Sequence, residues 1–354
     1  MIGIDAGGTK TRCVVLTLGG ALAGSGTGPG ANPNSGGDTA GALSTALREA
    51  LGDLDPGLVI GGAFGIAGAG SAGRPAAVAA ARTAWQGLGL RGSPAVVTDI
   101  AVAFAGGTTA GQGIVVFSGT GAGAAVINDG AIVQRADGYG WLVGDQGSAV
   151  WLGREAVGAA LAALDGRATP TVLTESVPRA LLGAAVLTEL DDAHRPRHRR
   201  ALALAGSTAR APGDPDGGTT MLLAAPGDAP APDPRLAQAI IKEVYGRPPA
   251  SLGRLGPVVA AAASAGDAVA RRIIGEAADW LLRDVDAVRP ALGDPTAPVV
   301  MHGSVLRSGP VADAVRAGLT DRFAAPPEAA GDGAVGAASL ALTRLGYPPL
   351  APVR

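Results

Sequence analysis

Five turns in this 354-residue chain set glycine beside a hydroxyl or carboxylate side chain, and each follows an apolar run that reads as a β-strand. The first is Asp5-Ala-Gly-Gly-Thr-Lys-Thr11, after Ile2 and Ile4. Gly7 and Gly8 lack side chains, so their backbone N–H groups can approach a phosphate closely, Thr9 and Thr11 add donors, and Asp5 can face a hydrated metal ion. A plain hairpin with a Gly-Gly turn is the alternative; an acid before the turn and two hydroxyls after it favour an anion cradle. Ser118-Gly119-Thr120-Gly121 repeats the layout between strands at 114–117 and 124–127. Two such cradles could grip one polyphosphate from opposite sides.

Two acids stand where chemistry collects. Asp99 follows the strand Ala95 to Thr98, and a carboxylate at such a strand end can take the proton of an attacking hydroxyl. Capping a helix over Ile100 to Phe104 is an equally good reading of it. Asp145 lies between Gly144 and Gly147 at a helix entrance, with Tyr139 and Trp141 close by in sequence. That setting suits a sugar face, although aromatic residues more often pack in a core. Gly303-Ser304 ends a strand and opens a helix, so its backbone could meet a nucleotide. His302 receives no role.

Other phosphate loops are excluded. Thr9, not glycine, precedes Lys10-Thr11, so the P-loop pattern fails, and Gly119 to Ala124 is followed by a strand where a dinucleotide fingerprint needs a helix.

The elements that must position these groups follow from periodicity. Ile2 to Leu16 is a hairpin, Ala21 to Ala23 a third strand, and Gly24 to Gly37 a glycine-rich loop holding Asn32 and Asn34. Asp38 or Thr39 caps a helix to Leu51 with Ala42, Leu43, Ala46, Leu47 and Ala50 on one face. Leu58 to Phe64 reads as a strand, Arg74 to Trp85 as a helix, and Asn128-Asp129-Gly130 as a hairpin turn. Strands joined by crossing helices predict a mainly parallel sheet. Helices follow near 149–163, 234–245, 251–265, 267–288, 304–319 and 331–345. Between 185 and 233 lies a Pro/Gly-rich insertion with a basic cluster, His194 to Arg200, in which no aromatic residues alternate as nucleic-acid binding would ask.

Length predicts two domains facing across a cleft, 1–110 and 111–354. A formal charge of -2 gives no reason to expect nucleic acid or an acidic membrane. Cys13 is the single cysteine, so the chain has neither an intrachain disulfide nor a cysteine cluster for zinc or iron–sulfur. No apolar run is long enough to span a bilayer and no secretory leader pattern opens the chain, so a cytoplasmic protein is expected.

In this order, Asp5-x-Gly-Gly-Thr-x-Thr, Thr98-Asp99, Ser118-Gly119-Thr120-Gly121, Gly144-Asp145-Gln146-Gly147-Ser148 and Met301-His302-Gly303-Ser304-Val305 resemble the motifs of the sugar-kinase, heat-shock ATPase and actin superfamily. The nearest likeness is to the N-acetylglucosamine kinase group within the BadF/BadG/BcrA/BcrD ATPases. The resemblance implies an α/β fold of two ribonuclease-H-like, actin-like ATPase domains with ATP and Mg²⁺ in the cleft between them. It assigns Asp5, Gly7, Gly8, Thr9, Lys10 and Thr11 to the first phosphate motif, with Asp5 holding Mg²⁺ through water. Ser118, Gly119, Thr120 and Gly121 fall in the second, Gly303 and Ser304 in the adenosine motif. Asp99 takes the place of the catalytic base, and Asn32, Asp99, Thr120, Gly138 and Asp145 those of the sugar site. Gly123, Asn34 and Ala67 depart from the residues expected in acetylglucosamine kinases. The branch that activates dehydratases bridges two subunits with an iron–sulfur cluster, which needs cysteines this chain lacks. What remains is a kinase placing a phosphoryl group on the 6-hydroxyl of N-acetylglucosamine, with glucosamine or N-acetylmuramic acid as alternative substrates and a non-kinase ATPase switch or sugar sensor as the other class. A small-molecule amino sugar is the expected partner, and a homodimer the expected assembly.

Overall fold

The computed structural model describes residues 1–33, 36–70, 72–188 and 234–352. Its strands form two five-stranded sheets. The first contains β1 (Ile2–Ala6), β2 (Lys10–Leu16), β3 (Leu22–Pro29), β4 (Gly62–Ile66) and β5 (Ala95–Thr98) in the order β3-β2-β1-β4-β5. The second contains β6 (Gln112–Ser118), β7 (Ala122–Asn128), β8 (Ala131–Asp137), β9 (Val299–His302) and β10 (Glu328–Ala329) in the order β10-β9-β6-β7-β8. In each, an antiparallel three-stranded meander is extended by two parallel strands. The second sheet is therefore the first repeated, with β6 in the place of β1. The sheets are mixed where a mainly parallel one was expected. Tight turns such as Asp129-Gly130, whose φ angles are 48° and 74°, force their flanking strands antiparallel, and only strands entered through a helix run parallel.

The segment 24–29 corrects another expectation. It is strand, not loop: Gly24, Gly26 and Gly28 alternate along β3 beneath α1 (Thr39–Leu51). A Cβ at these positions would lie 2.1, 2.3 and 2.6 Å from the carbonyl oxygens of Ala50, Ala46 and Ala42. The helix backbone thus sits directly on the strand, and only glycine permits it. Asp38 caps α1 by accepting from the Gly41 N–H at 2.8 Å, and the expected face of Ala42, Leu43, Ala46, Leu47 and Ala50 is buried. Leu58 and Ile60 are exposed, and the strand expected from Leu58 starts only at Gly62. Beneath that sheet Phe64 meets Trp85 of α2 (Arg74–Gln86) edge to face at 5.9 Å.

After β5 the chain enters α3 (Asp99–Gly107), which leads into the second sheet. The later helices are α4 (Ala149–Leu164), α5 (Leu173–Leu182), α6 (Pro234–Tyr245), α7 (Gly256–Ser264), α8 (Ala268–Val288), the single turn α9 (Ser304–Arg307), α10 (Pro310–Thr320) and α11 (Gly333–Arg344). A break at 308–309 splits what reads in sequence as one helix from 304 to 319. Though last in sequence, α11 packs on β1, β2, β4 and α3, and so lies on the first sheet rather than among the residues 111–354 grouped with the second. Small residues allow the crossing, as Gly336 lies against the Val102 carbonyl of α3.

The chain divides into two compact units, Met1–Ala149 with Gly275–Arg354, and Val150–Ile274. Both sheets belong to the first. The described part of the second is helical, with α5 packed on α6 and α7, and Asp267 accepting from Thr171 Oγ1 and the N–H groups of Val172 and Ala270. Most of the expected insertion, 189–233, and Asn34 lie outside the described residues.

Candidate active site

The first corner, between β1 and β2, is open. The Gly7 N–H donates to the Lys10 carbonyl at 3.0 Å, closing the turn, while Gly8, Thr9 and Lys10 are exposed. A strap crosses over it: the Ala31 N–H donates to the Gly7 carbonyl at 3.1 Å, bringing the neighbouring Asn32 to the corner. Thr11 differs from its fellow hydroxyl. It is fully buried and its Oγ1 donates to the Pro29 carbonyl at 2.7 Å, so it braces the corner instead of lining it.

The second corner is held from several sides. Ser118 is buried and its Oγ donates to the Gly147 carbonyl at 2.8 Å; the Ala149 N–H donates to the Gly119 carbonyl at 2.8 Å. Gly303, at φ 103°, presses on the same corner, where a Cβ would sit 2.2 Å from the Ser118 carbonyl oxygen. Ser304 follows it, exposed, beside Gly119. Thr120 is exposed at the tip.

Asp145 adjoins this corner. Its Oδ1 accepts from the Ala122 N–H at 3.3 Å, and a Cβ on Gly121 would lie 3.2 Å from that oxygen. Asp145 is held in the left-handed region, φ 56°, by Asp137, a residue whose part the sequence did not reveal. Asp137, itself at φ 57°, is buried, and its carboxylate accepts from the N–H groups of Asp145 at 2.8 Å and Gln146 at 2.9 Å. Arg135 closes the arrangement by donating to the carbonyls of Asp137 and Gly138. Burial pushes the Asp145 carboxyl up, against the pull of backbone N–H groups and Arg135. Tyr139 and Trp141 are exposed on the same loop, so core packing does not account for them.

Asp5 and Asp99 lie at the C-terminal ends of β1 and β5, two strands of the first sheet. Asp5 ends β1 beneath the N-terminus of α11, where a Cβ on Gly333 would lie 2.5 Å from its Oδ2. Burial, then the charges of Asp99 and Asp332, push its carboxyl up to about 7 against Lys10 and Arg12. Asp332 in turn caps α11 through the Ala334 N–H at 2.9 Å and pairs with Arg12 at 2.7 Å. Asp99 is the first residue of α3, with Thr98 in the capping position, so the capping reading of Asp99 gives way. Burial raises its carboxyl, while His302, its own and the Ile100 backbone N–H groups, and Arg135 lower it. The buried Thr98 hydroxyl beside it has no protein partner.

The donor set bears on a cation. Asp5 is crowded by two further carboxylates, which a positive ion would relieve, and among the described residues no group of three or more His, Cys, Asp or Glu is placed to hold a metal. Such a set fits a hydrated Mg²⁺ and not an all-protein cage. A separate depression of about 290 Å³ lies at the C-terminal end of α1, lined by Arg48, Leu51, Asp53, Leu54 and Leu88, away from all these groups.

Comparison with known proteins adds to this geometry. A model of the BadF/BadG/BcrA/BcrD ATPase family matches residues 2–341. Over 88 residues, 25% of this chain, the sequence is 39% identical to an N-acetylmuramic acid/N-acetylglucosamine kinase of Clostridium acetobutylicum, and the match spans 29% of that protein. Among solved structures, a candidate N-acetylglucosamine kinase of Chromobacterium violaceum superposes with a TM-score of 0.63 at 23% identity, covering 96% of this chain and 97% of that one. A second candidate of that name, from Porphyromonas gingivalis, gives 0.60 at 20% identity over 91% of each. A ROK-family glucokinase of Streptomyces griseus, solved with glucose and AMPPNP, gives 0.50 at 17% identity over 97% and 99%. At these identities the likeness is one of fold: two α/β halves of the ribonuclease-H, actin-like type, as the motifs led one to expect.

Proposed function

Because the chain belongs to the BadF/BadG/BcrA/BcrD ATPase family, we propose that it is an ATP-dependent kinase of amino sugars, with the 6-hydroxyl of N-acetylglucosamine as acceptor. One observation carries the reading. Two equivalent glycine corners recur in a repeated sheet, and at the same end of the first sheet as the first corner a carboxylate, Asp99, follows β5, its charge felt by Asp5.

In this reading Gly7, Gly8, Thr9 and Lys10 cradle the phosphates from one side, and Gly119, Thr120 and Gly121 from the other, while Gly303 and Ser304 meet the adenosine. Asn32, Thr120, Gly138 and Asp145 hold the sugar. Asp99 accepts the proton of the sugar hydroxyl as its oxygen bonds to the γ-phosphorus and the bond to the bridging oxygen breaks, releasing ADP. Asp5 would hold Mg²⁺ through water, and the ion, when bound, offsets negative charge on the phosphates. Positioning and fixed backbone dipoles do most of the work, since the transfer asks little covalent chemistry of the protein. The activity named for the Clostridium relative supports both N-acetylglucosamine and N-acetylmuramic acid as substrates to try.

The test is ADP release over a panel of amino sugars with Mg-ATP, for the wild type and Asp99→Asn. Sugar-dependent release by the wild type, lowered about 10³-fold in the variant, is expected. ADP release indifferent to sugar would make the protein a hydrolytic switch, and a variant as fast as the wild type would remove Asp99 from the chemistry.

A further inference from the structure

Arg135 lies on β8, and its guanidinium reaches forward along the chain: Nε donates to the Asp137 carbonyl at 2.8 Å and Nη2 to the Gly138 carbonyl. These carbonyls open the loop that ends at Asp145, and that loop is drawn shut at its base. The N–H groups of Tyr139, at 3.4 Å, and Asp145, at 2.8 Å, converge on one oxygen of Asp137, and a Cβ on Gly144 would lie 3.0 Å from the Cβ of Tyr139. Arg135 therefore stands where Gly138 and Asp145 come together. The outer edge of its fork, Nη1 with the second Nη2 hydrogen, meets no acceptor among the described residues, and Arg135 forms no ion pair with any of them. The side chain is exposed.

We propose that Arg135 is a specificity-determining residue that binds a carboxylate carried by the acceptor, so that the site prefers an anionic amino sugar, N-acetylmuramic acid, to its neutral parent N-acetylglucosamine. The inference rests on the reading of Gly138 and Asp145 as sugar-holding residues given above. Clasping two carbonyls needs only neutral donors, which an amide side chain could supply. A guanidinium adds a charge, and its free edge matches a carboxylate with two parallel hydrogen bonds. The neighbouring acids are turned elsewhere: the Asp137 carboxylate to the N–H groups of Asp145 and Gln146, and Asp145 Oδ1 to that of Ala122. The charge still reaches the site, for it draws down the carboxyls of Asp99 and Asp145 that burial has raised. With Nε and Nη2 pinned to backbone, the fork is oriented before a ligand arrives, which lowers the ordering cost of binding. N-Acetylmuramic acid is N-acetylglucosamine with a lactic acid arm in ether linkage at the 3-oxygen. Its 6-hydroxyl stays available, and its carboxylate sits on an arm able to reach a group beside the sugar.

The test measures calorimetric binding of N-acetylmuramic acid, its methyl ester and N-acetylglucosamine, and kcat/KM for each with Mg-ATP, in the wild type, Arg135→Gln and Arg135→Lys. The wild type should favour the acid over the ester about 10-fold, Arg135→Gln should lose that preference, and Arg135→Lys, which keeps the charge without the fork, should retain part of it. A loop merely disturbed by the substitution weakens all three acceptors alike and leaves the ratio as it was, so an unchanged ratio overturns the proposal. So does a wild type indifferent to acid and ester, a comparison that stands even where Arg135→Gln fails to fold. A higher KM for ATP with the ratio unmoved would give Arg135 to the phosphates and overturn the proposal too. The two readings fail separately. Preference for the acid in binding without sugar-dependent ADP release removes the kinase and leaves the anion site, whereas sugar-dependent release with equal use of acid and ester does the reverse.

Discussion

The two glycine corners occupy equivalent places in sheets of one topology, yet they are built differently. The first is exposed from Gly8 to Lys10 and is held by one turn hydrogen bond and by a strap whose Gly30 lies against the Gly8 carbonyl. The second, Ser118 to Gly121, is clamped by Gly147, Ala149 and Gly303, with Asp145 lying against Gly121. The same arrangement of strands thus yields one corner open to solvent beneath a strap and one packed among the loop and strand end around it. A packed corner orients a substrate without further ordering cost, and an open one admits it.

The largest contrast should come from one chemical change made at both. Gly303→Ala puts a methyl into the Ser118 carbonyl oxygen and asks alanine to hold φ 103°, so stability should fall by about 3 kcal/mol, read by urea unfolding. Gly8→Ala meets nothing within 4 Å and should leave stability within about 0.5 kcal/mol, while raising KM for ATP. Equal losses of stability would mean that the corners are equally rigid.

A smaller effect separates the two bracing hydroxyls. Ser118→Ala leaves the Gly147 carbonyl without its donor in a buried setting, and about 1–2 kcal/mol should be lost together with activity, because Gly147 anchors the loop that presents Asp145. Thr11→Val removes the bond to Pro29 and should cost about 1 kcal/mol with little change in kcat. Activity that fell in Thr11→Val as far as in Ser118→Ala would place both hydroxyls in contact with substrate.

Much of this was legible in sequence because turn chemistry and strand patterning are local. The hairpins, the face of α1 and the place of Asp99 at a strand end all follow from residues a few positions apart. What escaped depends on distant partners. Gly24, Gly26 and Gly28 resemble a loop until α1 is seen to lie on them, and Leu58 with Ile60 mimic a buried strand although both are exposed. Asp137 carries no local signal at all, since it acts through backbone N–H groups eight and nine residues on. The order of the strands, antiparallel then parallel, was hidden for the same reason, since only the fold shows which strands become neighbours.

The smallest predicted effect concerns what backs the second corner. Helix α8 lies behind its loop: a Cβ on Gly147 would sit 2.7 Å from the Ala277 carbonyl and close to Leu281, and Asp284 is on the same helical face one turn further. Its Oδ2 is buried without a hydrogen-bond partner, and burial followed by the charge of Asp137 pushes its carboxyl up to about 7. An acid raised above its unfolded value of roughly 4 contributes stability that is fully present below that value and is lost as pH climbs through 7. Part of the side chain meets solvent, which screens the effect. Asp284→Asn should therefore melt with the wild type at pH 4 and about 2 °C above it at pH 8, with the gap opening between pH 5 and 7. Melting curves that stay parallel across that range would show that the carboxylate is already relieved by water. The second corner would then rest on its hydrogen bonds alone, like the first.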